Sequence, residues 1–246
     1  MRKTRKGKLL LGALAAKEVV SLMLAVLILP TLLFIGGEDQ QDLYVYFNES
    51  EALQHAPAHI FASLDEERPD KVYYRIVVDN ETGEKCIMYW YYYTYQESNV
   101  AEHLMDLEPI YLYFRNGNLV YAKYDAWHWT AATAYNYSLT FLVDNGTHPV
   151  FLVDPVYHHY SPASDVTNAT YSFRYVALND TAIEFFKSQK LYTGPYTIDV
   201  GMLLDTETIE NPFKDFDDFW EVNSFYGLVL YLPIKLKILW LKYFGG

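Results

Sequence analysis

Between positions 72 and 177 the chain repeats one pattern, a short run dense in Tyr, Val, Phe and Ile followed by a turn built on Asn, Asp or Gly. The runs fall at residues 72–78, 86–95, 110–114, 119–127, 137–143, 150–153 and 171–177, and Asn-Gly, Asp-Asn and Asn-Asp turns separate them. β-Branched and aromatic side chains suit a pleated, half-buried surface, and turn residues at this spacing punctuate strands. Strands in series with few helices predict a mainly β chain, an antiparallel β-sandwich with a few peripheral helices. Helical signal is confined to three stretches. In 48–64, Asn48 can cap, Glu51 follows three residues on, and Ala52, Leu53, Ala56, Ile60 and Phe61 recur near helical spacing despite Pro57. The other two are 181–189 and the aromatic-acidic stretch 211–222.

Composition narrows the class further. With 51% hydrophobic and 20% charged residues among 246, the chain is too apolar for intrinsic disorder and long enough for a full core. The single Cys86 excludes an internal disulfide or a multi-thiolate zinc site, and in an apolar aromatic strand it reads as a small buried hydrophobe.

The first 37 residues differ from the rest. Arg2, Lys3, Arg5, Lys6, Lys8 and Lys17 stand against Glu18 alone, and residues 19–37 form an uncharged run of 19. That approaches the ~20 residues a helix needs to cross a bilayer core and exceeds the ~7–15 of a signal-peptide apolar region. The expectation is a cytoplasmic basic segment at 1–18 and a transmembrane anchor, or uncleaved signal, at 19–37. An extracellular domain at 38–246 follows, since the cations precede the span and Glu38, Asp39 and Asp42 follow it. The expectation is therefore a single-pass cell-membrane protein with its N-terminus in the cytoplasm and its body extracellular. Beyond residue 37 there are 13 basic and 30 acidic groups, a balance that repels nucleic acid.

Asparagine placement agrees with that topology. Of 11 asparagines, with Ser and Thr totalling 25, about one should fall in an N-glycosylation sequon by chance, yet Asn48, Asn80, Asn136, Asn145, Asn168 and Asn179 all do. Near the far end, residues 225–244 are apolar apart from Lys235, Lys237 and Lys242 and are interrupted by Pro233. This suits either an amphipathic segment in the membrane interface or a helix packed on the core.

The sharpest chemical pattern is His103-x-x-Asp106-x-Glu108, followed past Asn116-Gly117-Asn118 by a run ending at His128. In a strand, residues two apart share a face, so Asp106 and Glu108 lie with Ile110, Leu112 and Phe114, and His128 with Val120, Ala122, Tyr124 and Ala126. A three-residue Asn-Gly-Asn loop brings the two apolar faces together and sets Asp106 opposite His128, whereas a two-residue turn would mismatch them. Two carboxylates and an imidazole at the rim of an apolar face demand partners or a cation. Oxygen-rich ligation with one or two imidazoles suits Mg²⁺, Ca²⁺ or Mn²⁺, with Zn²⁺ not excluded; the alternative is a hydrogen-bonded, solvated rim. His55 and His59 lack the acidic partner of a zinc helix and read as surface residues, and His148 reads as a loop residue.

One order of motifs resembles a known family. Met88-Tyr-Trp-Tyr-Tyr-Tyr-Thr-Tyr95, His103-Leu-Met-Asp106-Leu-Glu108, the strands to His128, and Pro149-Val-Phe-Leu-Val153 leading to His158-His159-Tyr160 together look like the vacuolar protein sorting-associated protein 62 family. That family is distantly similar to the necrosis- and ethylene-inducing peptide-like proteins, secreted β-sandwiches in which an acidic-histidine loop helps hold a divalent cation. The resemblance spans residues 86–160 and implies a site at His103, Asp106, Glu108 and His158, with His159 as an adjacent alternative. Leu107 stands where the family has Trp, Met105 where Gly is usual, and only one histidine precedes the aspartate.

These readings converge on a membrane-anchored, N-glycosylated cell-surface β-sandwich with a divalent-cation site. Its role is binding or structural, and its partners are the membrane and a cell-surface protein or glycan. The alternatives are a metal-dependent extracellular hydrolase, in which a cation-activated water reacts beside a carboxylate base, and a membrane-perturbing effector. Enzyme signatures such as the G-x-S-x-G elbow and phosphate-cradling glycine loops are absent from the sequence.

Overall fold

The computed structural model describes residues 42–63, 67–96, 102–127, 130–194, 198–201, 204–217 and 219. The chain divides into Met1–Gln41 and Asp42–Gly246, and every described residue lies in the second unit. The expected anchor at 19–37 and the segment at 225–244 fall outside the described residues. Among the described residues no helix is long and apolar enough to cross a membrane.

The protein is mainly β. Its strands are β1 (Leu43–Tyr46), β2 (Ala58–Ile60), β3 (Lys71–Asp79), β4 (Lys85–Gln96), β5 (Glu102–Arg115), β6 (Asn118–Trp127), β7 (Thr130–Tyr135), β8 (Phe141–Leu142), β9 (His148–Val153), β10 (Tyr160–Pro162), β11 (Tyr175–Ala177), β12 (Lys190–Gly194) and β13 (Ile198–Gly201). Among the described residues three short helices accompany them: α1 (Glu49–His55), α2 (Asp180–Ser188) and α3 (Thr206–Glu210). A nine-stranded sheet runs β1-β3-β4-β5-β12-β13, with β11 beside β3 and the β6–β7 hairpin beside β5. A smaller sheet runs β10-β9-β2, with β8 on β9. Pairing is antiparallel except for β11 with β3 and β2 with β9.

The large sheet is buried on both faces. Tyr74, Ile76, Ile87, Tyr89, Tyr91, Tyr93, Ile110 and Leu112 pack with Phe151, Val153 and Tyr160 of the small sheet. The alternate residues Tyr73, Val77, Cys86, Met88, Trp90, Tyr111 and Tyr113 pack with Ile183 and Phe186 of α2, Ile209 of α3, and Phe219. The sandwich expectation therefore holds for one face, and a helical layer covers the other. Two buried faces also account for the unbroken Met88–Tyr95 run, because a strand covered on both sides has no reason to alternate with polar residues. Cys86 is fully buried, and burial pushes its thiol well up.

Several local expectations fail for identifiable reasons. The first helix stops at His55, because the residue preceding Pro57 is disfavoured in the α region, and the chain turns into β2. His59 therefore lies in a strand, fully buried, and is not a surface residue. His148 begins β9, is buried, and stacks on Tyr171 with ring centroids 3.8 Å apart. Residues 137–143 are not one strand: β7 ends at Tyr135, a 3₁₀ turn spans Asn136–Ser138, and β8 holds only Phe141–Leu142. The 171–177 run is strand only over Tyr175–Ala177. Positions 211–217 form turns, with Phe213 and Phe216 half-buried against the helical-side core.

The β5–β6 hairpin keeps the expected register by a different route. Asn116 (φ 51°) and Gly117 (φ 75°) form the tip of a two-residue turn closed by Arg115 and Asn118. Two successive left-handed residues are what a primed hairpin turn needs, which Asn-Gly meets at low cost. Such a turn alone would mismatch the apolar faces. A bulge restores them: Phe114 pairs with Leu119 but Tyr113 with Tyr121, so Val120 is the extra residue. Leu112 then faces Ala122 and Ile110 faces Tyr124, the pairing that buries both stripes. His128 lies outside the described residues.

Candidate functional site

The site forms where the acidic end of β5 crosses under the β9–β10 loop. Asp106 and Glu108 pair with Tyr93 and Tyr91 of β4 and share the inner face with Ile110 and Leu112, as strand alternation requires. In a regular strand His103, three residues before Asp106, would point the other way. Met105 has φ 64°, in the left-handed region, which breaks the alternation, and His103 Nε2 lies 3.7 Å from Asp106 Oδ1. A positive φ is the conformation glycine adopts most readily, so Met105 is held there against its own preference.

The second histidine arrives from a tight loop. Asp154 Oδ1 accepts from the Val156 and Tyr157 amides at 2.9 and 2.7 Å, and the His158 amide donates to the Asp154 carbonyl at 3.0 Å. This turn leaves His158 at φ 57°. Its imidazole lies flat on the Tyr93 ring, 3.9 Å between centroids and 5° between planes, with Nδ1 2.8 Å from Asp106 Oδ2. Asp106 and His158, 52 residues apart in sequence, form a buried carboxylate–imidazole pair with the ring clamped in one plane. Because Nδ1 is committed to Asp106, Nε2 is the nitrogen left for a proton or a metal.

The four described site residues are buried, which rules against the alternative of a solvated rim. Asp106, Glu108, His103 and His158 are 3, 5, 7 and 2% exposed. Burial alone would raise the Asp106 pKa, but the His158 hydrogen bond and the neighbouring His103 outweigh it and hold the carboxyl below its usual range. Burial pushes Glu108 far up, reinforced by the charges of Asp106 and Asp125, and its Oε2 has no hydrogen-bond partner. Glu108 is thus favoured in its neutral form, sharing a hydrogen bond with Asp106, and its Oε2 is the oxygen the site leaves without a partner. His159 is buried too, and burial lowers its pKa to about 4 against the pull of Asp154 and Asp106.

Two contributors were invisible in the sequence. Glu67 lies within electrostatic reach of His158 and Asp106; its pKa is raised first by burial, with His158 opposing and Asp70 and Asp106 adding. Asp125 is fully buried and adds its charge to Glu108. No local motif announces either one. Among the described residues no three His, Cys, Asp or Glu side chains converge tightly enough to form a ready-made metal cage.

All six sequon asparagines are exposed and outside strands and α-helices. Asn48 and Asn179 cap α1 and α2 through Oδ1, which accepts from the Glu51 and Ala182 amides at 3.2 and 2.9 Å. That leaves Nδ2, the atom a glycan would use, outside the cap bond.

No family model matches the chain, so the resemblance to the vacuolar protein sorting-associated protein 62 family gains no support there, and no curated protein matches it. A solved structure described as NLPPya in complex with mannosamine is 14% identical, with a TM-score of 0.46 over 67% of this chain and 88% of that chain.

Proposed function

We propose that this protein is a membrane-anchored, N-glycosylated domain on the outer cell surface. In this reading Asp106, Glu108 and His158, which do not form a ready-made cage, draw together on a divalent cation that stiffens the junction of β5 with the β9–β10 loop, and the role is binding or structural. The observation that carries the cation is Glu108 Oε2, a buried carboxylate oxygen without a partner, two residues from the Asp106–His158 pair. Buried carboxylates side by side are costly unless a proton or cation lies between them, and two oxygens with an imidazole suit Ca²⁺, Mg²⁺ or Mn²⁺. His103 stands behind Asp106 as a further ligand or as its orienting partner, and His128 is the remaining candidate ligand. The low exposure of all four described residues favours a closed structural centre over a hydrolytic one, which needs an open, water-bearing position.

The test is elemental analysis and melting of the full-length chain with and without chelator. A cation bound only by the native state at a hundredfold excess over Kd adds ~2.7 kcal/mol, so the chelator should lower Tm. The double variant Asp106→Asn with Glu108→Gln should lose that response and stay folded. Absence of metal together with an unchanged Tm refutes the cation. The surface address is supported by the basic segment before the apolar run and by six exposed sequons. External protease should digest residues 40–246 on intact cells, and glycosidase should shift the band; protection of the body refutes the topology.

A further inference from the structure

On the helical face of the large sheet, β3, α2 and α3 line a pocket of about 180 Å³ that opens to solvent, bordered by Arg75, Asp180, Glu184, Lys187, Thr206 and Glu210. One water needs only ~10–15 Å³ on this measure, so the space holds a small organic molecule. Arg75 rises from the centre of β3, is 8% exposed, and its Nε and NH1 have no hydrogen-bond partner. Its nearest carboxylate, Asp180, lies 3.7 Å from NH2 on a side chain that is 93% exposed, too far for a hydrogen bond. A buried guanidinium with unmet donors is expensive and presents a planar fork shaped for a carboxylate.

The surroundings decide what carries that carboxylate. Three acidic side chains face two basic ones in the pocket, and Lys187 already pairs with Glu184 at 3.1 Å. The chain beyond residue 37 has 30 acidic groups against 13 basic, so a simple anion meets repulsion both on approach and in place. A ligand with an ammonium group beside its carboxylate meets neither. We propose that this pocket binds a small amino-carboxylate zwitterion, its carboxylate held by the unmet Arg75 donors and its ammonium by Asp180 and Glu210. Thr206 supplies a hydroxyl beside them, and Ile183 and Ile209 form an apolar wall that shields the ion pairs from water.

The site shares no residue with the cation centre, so either can fail alone. Calorimetric titration of the full-length chain with glycine, L-alanine, L-serine and L-glutamate should give saturable binding of at least one. Acetate, ethylamine and L-lactate, which each lack one half of the pair, should bind at least ~10-fold more weakly. Arg75→Gln should weaken the best ligand ~10–100-fold, the range for losing a charge-assisted hydrogen bond. Because Arg75 is buried, Glu210→Gln at the exposed rim serves as the second variant, expected to weaken binding with unchanged circular dichroism. No saturation by any of the four amino acids overturns the proposal. So does L-lactate binding as well as L-alanine, or an Arg75→Gln protein that folds and binds undiminished.

Discussion

His59→Leu should remove a large part of the protein's acid sensitivity. His59 sits in β2 with no exposed surface, and neither ring nitrogen has a hydrogen-bond partner. Four aromatic rings surround it: Tyr91 at 4.2 Å, Tyr160 at 5.0 Å, Phe173 at 5.7 Å and Phe61 at 5.9 Å, with the Arg68 guanidinium 3.6 Å above Phe61. Burial, with a further push from Arg68, lowers its pKa from 6.5 to about 3. Because the folded-state value lies below the unfolded one, only the unfolded chain takes up this proton between those two pH values. Above pH 6.5 there is thus no proton-linked cost, and stability falls as pH drops from there toward 3. At pH 4.5 the unfolded chain is favoured by two pH units' worth of proton uptake, ~2.7 kcal/mol. Leucine has a similar volume and no titratable group. Its loss of ring contacts shifts the baseline at pH 7.5 but cancels when each protein is compared with itself. Urea unfolding at pH 7.5 and 4.5 reads the difference, and the wild type should lose ~2–3 kcal/mol more than the variant. Equal losses would show that attraction between the imidazolium and the ring faces offsets desolvation, and would refute burial as the dominant cause.

Other outcomes follow from single contacts. Gly146→Ala should destabilise by ~1–3 kcal/mol in thermal unfolding, since a Cβ there would lie 2.2 Å from the Gln54 carbonyl oxygen, a backbone atom that cannot step aside. Gly117→Val should cost ~1–2 kcal/mol, because φ of 75° at the β5–β6 turn penalises a branched side chain, and a neutral melt would count against the turn assignment. Met105→Gly should be tolerated within ~1 kcal/mol, because relief of the left-handed residue offsets the lost Met105 packing. A large loss would mean that the packing outweighs the strain. Asp106→Ala should destabilise by ~2–4 kcal/mol, since it strips the buried His158 imidazole of its 2.8 Å partner, and His158 line broadening in NMR would report the loosened ring.

Local chemistry was enough to determine much of this protein. Periodic Tyr, Val and Ile runs place β3, β4 and β6 to within a residue at each end, because strand propensity and turn residues act over a few positions, but the 110–114 run marks only the last part of β5, whose acidic first half carries no such signal. The shared face of Asp106 and Glu108 follows from a two-residue repeat, and the even β5–β6 register follows from the need to bury both stripes. Only the tertiary structure decided how that register is reached: the bulge at Val120 is a compromise between an Asn-Gly turn and core packing, and neither constraint alone reveals it. The same holds for the second buried face of the large sheet, since a continuous aromatic run reports burial without saying what provides it. His59 reads as a surface residue and His148 as a loop residue from their local sequence, yet β2 and β9 meet by long-range pairing that carries both inward. The site is the clearest case. The acidic loop was legible in the six residues from His103 to Glu108, but the clamping of His158 between Tyr93 and Asp106 joins positions 65 and 52 residues apart, and the contributions of Asp125 and Glu67 exist only once the loops have closed.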